Sequence, residues 1–264
     1  MKSGIRDPIC LSAVSFKKLN AHSWDANAEH WQRHVLDDPF RVTIFEEVRL
    51  ALSEEQSRFP RARFDVCDVG CGEGSFLRRL QADGAFTNLS GVDLCPKMLA
   101  LARNACPPAR LFQRDLEEPD PPPVLGSCAV TCVLAMIEIV QFRRAFDFVW
   151  EALRADGLLV LVLLDPAIEI YRLMSAKRKL PGTVLYDLEG DLAIASHYEA
   201  EGIRSPAPYF RILRPLDAYV GGLIEAGFEI ESIKARPHTG GPLSSSARAI
   251  FVGARKRCRK ATRL

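Results

Sequence analysis

From Phe64 onward the chain alternates between short runs that are almost wholly apolar and longer stretches whose apolar residues recur three and four positions apart. The first pattern suits a buried strand and the second a helix packed on one face. "FDVCDVG" reads as a strand, and "SFLRRLQAD" (Ser75 to Asp83) as a helix that stops at Gly84. "TNLSGVDL" (Thr87 to Leu94) is a second strand. "PKMLALARNA" is a helix with Pro96 in its first turn, where a missing N–H leaves nothing unpaired. "ARLFQRDL" is a third strand, and the proline-rich link "EEPDPPPVLG" leads to a fourth, "CAVTCVLAMI". "FRRAFDFVWEALRAD" is an amphipathic helix running to Gly157, followed by "LLVLVLL", apolar on both faces as a central parallel strand must be. A helix in "RPLDAYVGGLIEAGF", a strand in "EIESIKA", the loop "HTGGPLSSS" and a strand in "ARAIFVGARK" close the chain. Strand and helix in alternation predict an open α/β sheet, and such sheets bind ligands beyond the carboxyl ends of their strands. Asp68 to Gly74, Asp93, Asp115 and the stretch after Leu134 all fall at those ends.

Two regions break the rhythm. Residues 1–60 look helical in "WDANAEHWQRHV" and "FRVTIFEEVRLALSEEQSR", and read as an N-terminal cap or lid. Residues 166–214 hold "IEIYRLMSAKRKL" and then an irregular stretch with Tyr, His and Pro. They read as a substrate cover inserted in a ligand-binding domain that spans 61–264.

Composition changes this picture little. With 264 residues, 48% hydrophobic and 26% charged, the chain can bury a large core. The longest apolar run, Gly157 to Leu164, is far short of the roughly 20 residues needed to span a bilayer, and the N-terminus lacks a signal-peptide pattern. We expect a cytoplasmic protein with no membrane partner. A net charge of +2 argues against nucleic acid; the one basic cluster is the terminal "ARKRCRKATR". None of the eight cysteines (Cys10, Cys67, Cys71, Cys95, Cys106, Cys128, Cys132, Cys258) forms a CxxC pair, so they read as small buried hydrophobes in a reducing compartment, with no metal site.

The stretch "DVGCGEGSF" (Asp68 to Phe76) carries the chemistry. Glycines let a backbone approach a ligand closely. A dinucleotide fingerprint would be G-x-G-x-x-G around a pyrophosphate, but here the glycines are Gly70, Gly72 and Gly74, with Ser75 where the third would stand. Asp68 enters the turn and Glu73 lies inside it, and two carboxylates would repel a pyrophosphate. Asp93 follows Gly74 by 19 residues, at the end of the second strand, where a carboxylate accepts hydrogen bonds from a ribose diol. Asp115, ending the third strand, suits an adenine amino group. The ligand so described is an adenosine with a cationic amino-acid end: S-adenosylmethionine rather than NAD.

With these residues in view, the chain resembles the Rossmann-like (class I) S-adenosylmethionine-dependent methyltransferases of small molecules. The resemblance rests on "DVGCGEGSF", "GVDLCPKMLALAR", "FQRDLEE", "TCVLAMIEIV", "EALRADGLLVLVLLDP" and "RPLDAYVGGLIEAGFEIESI", with "WDANAEHW" similar to the N-terminal segment that closes over the cofactor. It implies a doubly wound, mostly parallel seven-stranded sheet, last strand antiparallel, helices on both faces, with N-terminal and inserted cover segments. It also implies that Asp68, Gly70, Cys71 and Gly72 line the methionine end, and that Asp93 holds the ribose with Leu94 and Met98 beside the adenosine. Asp115 and Leu116 would face adenine, and Leu134 the sugar side. The family often has an acidic residue where this chain has Cys128.

Methyl transfer from a sulfonium needs alignment, and a base when the acceptor is a hydroxyl or ammonium. The candidates are Glu138, either a base or a cap for the following helix, and His197. Tyr198, Tyr209 and Arg211 are candidate substrate contacts; Asp165 also lies near the rim, and His22, His30 and Trp31 suit lid packing. The chain lacks a (D/N)PP(Y/F) turn after the fourth strand, a nucleophilic Cys-Pro at that edge and a double-glutamate loop, which disfavours base and protein-arginine methylation. The expectation is methyl transfer to a hydroxyl or carboxylate oxygen of a small molecule, plausibly a specialised metabolite, releasing S-adenosylhomocysteine. A small-molecule N-methyltransferase, a dehydrogenase and a non-catalytic relative are the alternatives.

Overall fold

The computed structural model describes residues 8–34, 38–59, 63–168, 184–188, 190–200, 202–237 and 248–257. Most of "IEIYRLMSAKRKL", the loop "HTGGPLSSS", Cys258 and the rest of the basic tail lie outside these residues. In chain order the strands are β1 (Ile9–Cys10), β2 (Asp65–Val69), β3 (Asn88–Asp93), β4 (Arg110–Gln113), β5 (Ser127–Val133), β6 (Leu153–Leu164), β7 (Val184–Leu188) and β8 (Asp191–Ser196). They continue with β9 (Glu199–Ala200), β10 (Ile203–Arg204), β11 (Tyr209–Ile212), β12 (Phe228–Pro237) and β13 (Arg248–Lys256). The helices are α1 (Ala13–His34), α2 (Pro39–Ser57), α3 (Ser75–Asp83), α4 (Pro96–Ala105), α5 (Phe142–Ala152) and α6 (Leu216–Ala226).

The main sheet has seven strands in the order β12-β13-β6-β5-β2-β3-β4. β2 pairs in parallel with β3 and β5, β3 with β4, and β5 with β6, while β13 runs antiparallel to both β6 and β12. The double-sided apolar character of β6 now has a cause. Leu159, Leu161 and Leu163 join the core cluster containing Phe142, Phe146 and Val149 of α5 and Tyr219 and Leu223 of α6. Leu158, Val160 and Val162 join the opposite cluster, with Ile44, Phe45, Val48 and Leu52 of α2 and Leu77 and Leu80 of α3. Alternate residues of one strand thus serve two helix layers.

α2 begins at Pro39, and the Asp38 carboxylate caps it by accepting from the Phe40 and Arg41 amides at 2.8 and 3.3 Å. Its apolar face packs in the sheet core. α1 belongs elsewhere: with β1 it joins the inserted segment. There, residues that read as irregular form a second sheet, β1-β7-β8-β11, parallel at β1–β7 and antiparallel at the other pairs. Phe16 of α1 packs on it, its ring 5.5 Å from that of Phe210 and clustered with Leu188, Ala193, Ala195 and Ile212.

One boundary departs from the periodicity. The amphipathic pattern carries α5 to Asp156, yet the helix ends at Ala152 and Leu153 already pairs with Ser127 of β5. Lys256 of β13 donates to the Trp150 and Leu153 carbonyls at 2.6 and 2.7 Å, satisfying the open end of the helix early. Asp156 then turns the chain at φ 61 before the apolar run starts.

Candidate functional site

The glycine turn sits where β2 gives way to α3. Gly70, Gly72 and Gly74 have φ of +71, +55 and +79, values that L side chains rarely adopt. Gly70 is hemmed in: a Cβ there would lie 2.2 Å from Ala135 Cβ. Gly72 is the opposite case, because a Cβ there would meet nothing within 4 Å. Its amide donates to Asp93 Oδ2 at 2.8 Å, while the Cys95 amide donates to Asp93 Oδ1 at 2.9 Å. Each carboxylate oxygen thus takes one backbone proton and keeps lone-pair capacity for a diol. Asp68 is buried and accepts from Thr131 Oγ1 at 2.6 Å. Burial, with the nearby Asp93 and Glu73 charges, raises its pKa to about 7. Burial raises Asp93 as well. A cluster of carboxylates whose charge is held back, beside an open glycine face, is a cradle for a cation that also bears hydroxyls. S-adenosylmethionine fits it.

The remaining cofactor candidates are spread along the same edge. Cys71 is buried, its amide bonded to the Val92 carbonyl at 3.1 Å. Leu94 is exposed, whereas Met98 is buried with Ala28 and Cys95, against Trp24 and Trp31 of α1. Leu134 has φ 62, rare for a non-glycine residue and held by its amide bond to the Val162 carbonyl at 2.9 Å. Leu116 packs into the core. Asp115 is already engaged: Lys17 Nζ of α1 lies 2.6 Å from its Oδ2, and its Oδ1 accepts from the Glu117 amide at 2.9 Å. Asp93→Ala is expected to weaken S-adenosylmethionine binding by about 1–3 kcal/mol, since it unpairs hydroxyls from a charged acceptor. Isothermal titration checks it, and an unchanged Kd would remove Asp93 from the site.

Glu138 follows β5 in a short 3-10 turn, Met136–Glu138. Asn20 Nδ2 donates to its Oε2 at 3.2 Å, and Trp24 Nε1 donates to the same oxygen. Burial raises its pKa to about 8 against those two bonds and the opposing charge of Arg211. Tyr209 is buried, and its hydroxyl has no hydrogen-bond partner among the described residues. Burial first, then the Glu138 charge, raises that hydroxyl's pKa. The Tyr209 ring lies 5.0 Å from Trp24 and 5.3 Å from Trp31, which are themselves 5.0 Å apart. Arg211 Nη2 donates to Ser196 Oγ at 3.1 Å. Tyr198 packs near Trp31 and donates its hydroxyl to Asp38 Oδ2 at 3.2 Å. His197 turns back on its own segment, its Nδ1 donating to the Ser205 carbonyl at 2.8 Å. Asp165 accepts from the Ala167 amide at 3.0 Å.

Residues that sequence reasoning did not single out complete the wall. Asn20 and Trp24 secure Glu138. Arg41 donates to Glu73 Oε1 at 3.2 Å and lies 4.8 Å over the Trp31 ring. The spacing of Asn20, Trp24 and Trp31, four and seven apart on one helix face, was the available signal. Among the described residues no group of His, Cys, Asp and Glu could hold a metal ion, and no helix is long and apolar enough to cross a membrane.

Comparison with known proteins bears on the fold and the activity. Residues 66–157 match a family model described as a methyltransferase domain. A methyltransferase of Geobacillus sp. (strain WCH70) is 28% identical over 218 residues, 71% of this chain and 83% of that protein. The demethylmenaquinone methyltransferase of Deinococcus radiodurans is 31% identical over 122 residues, 45% of this chain and 49% of that protein. In fold, an S-adenosylmethionine-dependent methyltransferase from Clostridium acetobutylicum superposes with a TM-score of 0.59 at 14% identity, over 81% of this chain and 92% of the other. The matched domain opens inside β2, just before the glycine turn, and closes at the foot of β6, so it takes in the turn and Asp93. Residues 66–157 thus carry a methyltransferase domain, in a chain whose fold is that of the Rossmann-like, S-adenosylmethionine-dependent methyltransferases.

Proposed function

We propose that this methyltransferase acts on an oxygen of a small-molecule acceptor of the specialised-metabolite kind, with Glu138 taking up the acceptor's proton. The observation that carries the reading is the Glu138 carboxylate itself. It stands beyond β5 on the rim shared with the cradle, fixed by Asn20 and Trp24, beside Tyr209 and Arg211. Bound S-adenosylmethionine supplies a methyl on a sulfonium, a leaving group that needs no further activation. The protein's part is then to align the acceptor oxygen and remove its proton. Asp68, Asp93 and the glycine turn hold the cofactor. Tyr198, Tyr209 and Arg211 face the acceptor; α1 and the inserted sheet act as one cover. His197 orders that cover through its Ser205 bond and is the weaker candidate for proton transfer. The seven described cysteines are all free, in keeping with a reducing, cytoplasmic location.

A base must be ionised to act, so kcat/KM is expected to rise with pH through about 8, where Glu138 loses its proton. The groups facing it are Asn20 and Trp24 from α1, Arg211 and Tyr209 from β11, and Asp93 from β3. Glu138→Gln is expected to lower kcat/KM by about 10²–10⁴-fold and to remove that limb of the profile. A variant within a few-fold of wild type, with the limb intact, would assign proton removal elsewhere.

A further inference from the structure

Among oxygen acceptors, the site discriminates by what already lines it. The Trp24–Trp31–Tyr209 cluster would be a natural seat for a cationic amine. Here, however, the cation position over Trp31 is taken by the Arg41 guanidinium, 4.8 Å from the ring centroid, and Arg211 brings a second positive charge to Glu138. A further cation is disfavoured. A carboxylate acceptor would need no base and would face the Glu138 charge directly. The buried Tyr209 hydroxyl, without a partner among the described residues, is a donor open to an acceptor atom beside Glu138. Trp24 and Trp31 both keep part of their surface exposed, apolar ring surface that a planar acceptor can pack against.

Resting on the oxygen-methylation reading, we propose that the acceptor is a phenol, its ring against Trp24 and Trp31 and its oxygen between the Glu138 carboxylate and the Tyr209 hydroxyl. The phenolic proton passes to Glu138, and the oxygen's lone pair forms the new O–C bond to the methyl carbon as the C–S bond breaks. The bonding pair stays on sulfur, giving neutral S-adenosylhomocysteine and an aryl methyl ether, and Glu138 then releases its proton to solvent. The acidity of Glu138 suits this acceptor: its raised pKa lies closer to that of a phenol than to that of an aliphatic alcohol. Tyr209 acts by donating to the oxygen as negative charge builds there.

The test uses 4-nitrophenol, which absorbs in the visible only when ionised, titrated into the full chain saturated with S-adenosylhomocysteine. Benzylamine and benzoate serve as the cationic and anionic comparison probes. We expect 4-nitrophenol to bind more tightly than either. Tyr209→Phe should weaken it about tenfold, the loss of one hydrogen bond to a charge-bearing oxygen, while S-adenosylhomocysteine binding stays within a few-fold. In Glu138→Gln the bound probe should ionise at lower pH, because a neighbouring negative charge has gone. Absence of 4-nitrophenol binding at millimolar concentration, equal affinity in all three proteins, or preference for benzylamine or benzoate would overturn the proposal. Any of these with S-adenosylhomocysteine still bound leaves the methyltransferase reading standing; failure of S-adenosylhomocysteine itself to bind defeats that reading.

Discussion

Gly72→Val is expected to abolish cofactor binding while leaving the fold intact. The position has φ +55, so any side chain adds strain, about 1–2 kcal/mol, which a protein of this size can carry. The added atoms meet no protein within 4 Å and project into the space the cofactor needs. Affinity for S-adenosylmethionine should fall at least about 100-fold, or about 2.7 kcal/mol, by titration calorimetry. Gly70→Val should behave differently. Its Cβ would lie 2.2 Å from Ala135 Cβ, so the turn itself must move and the melting temperature should drop with the affinity. If Gly72→Val bound cofactor like wild type, the open face of the turn would not be the binding face.

Arg255→Ala is expected to be the most destabilising single change, and it lies on β13 beside the foot of β6, away from the carboxyl ends of the parallel strands. Arg255 is 2% exposed, and its guanidinium bonds both oxygens of Glu55, at 2.9 and 3.0 Å, as well as Glu231 at 2.5 and 2.9 Å. Removing it leaves Glu55, 4% exposed, with Arg58 at 3.0 Å as its remaining ion-pair partner. Stranding one member of a buried pair costs about 3–5 kcal/mol, or a fall in Tm on the order of 10 °C. The pH dependence has a definite sign. Burial pushes the Glu55 pKa up, but the bonds from Arg255 and Arg58 outweigh it and the net shift is downward. In the native protein its contribution is therefore present above the unfolded carboxyl's pKa and lost as pH falls through the depressed value. Without Arg255 burial prevails, Glu55 holds its proton to higher pH, and the variant's deficit should shrink on acidification. A denaturant series at two pH values reads both effects; a constant deficit would mean that Glu55 is not charged in the native core.

What could be read from the sequence divides along physical lines. The parallel strands and α3 and α4 were legible because each buries a face with its own period, and the glycine turn and Asp93 because a left-handed turn admits few residue types. The end of α5 was not legible, since the lysine that closes it lies 106 residues away. Nor was the second sheet: β7, β8 and β11 are five, six and four residues long and, among the described residues, take their strand partners from one another and from β1. On the rim, Glu138 could be named from its place after β5. Its partner Trp24 is 114 residues earlier, and no local pattern links the two.

The join between α1 and the inserted segment bears on how the molecule is made. Asn27, fully buried, exchanges two 2.9 Å hydrogen bonds with Ala207, 180 positions later, and Ser23, also buried, donates to the Pro208 carbonyl at 2.6 Å. As the chain leaves the ribosome, α1 emerges well ahead of Ala207 and Pro208 and must wait for them before these groups find their partners. Those bonds span 180 positions, one of the longest separations in the described structure after the 200 between Glu55 and Arg255, so this region should be among the last to set. The parallel strands β2 to β6 precede the inserted segment in the chain and can pair without it. During that interval Phe16 and the Asn27 amide stay open to wrong partners, and synthesis rate and chaperone access would act on this stretch before any other.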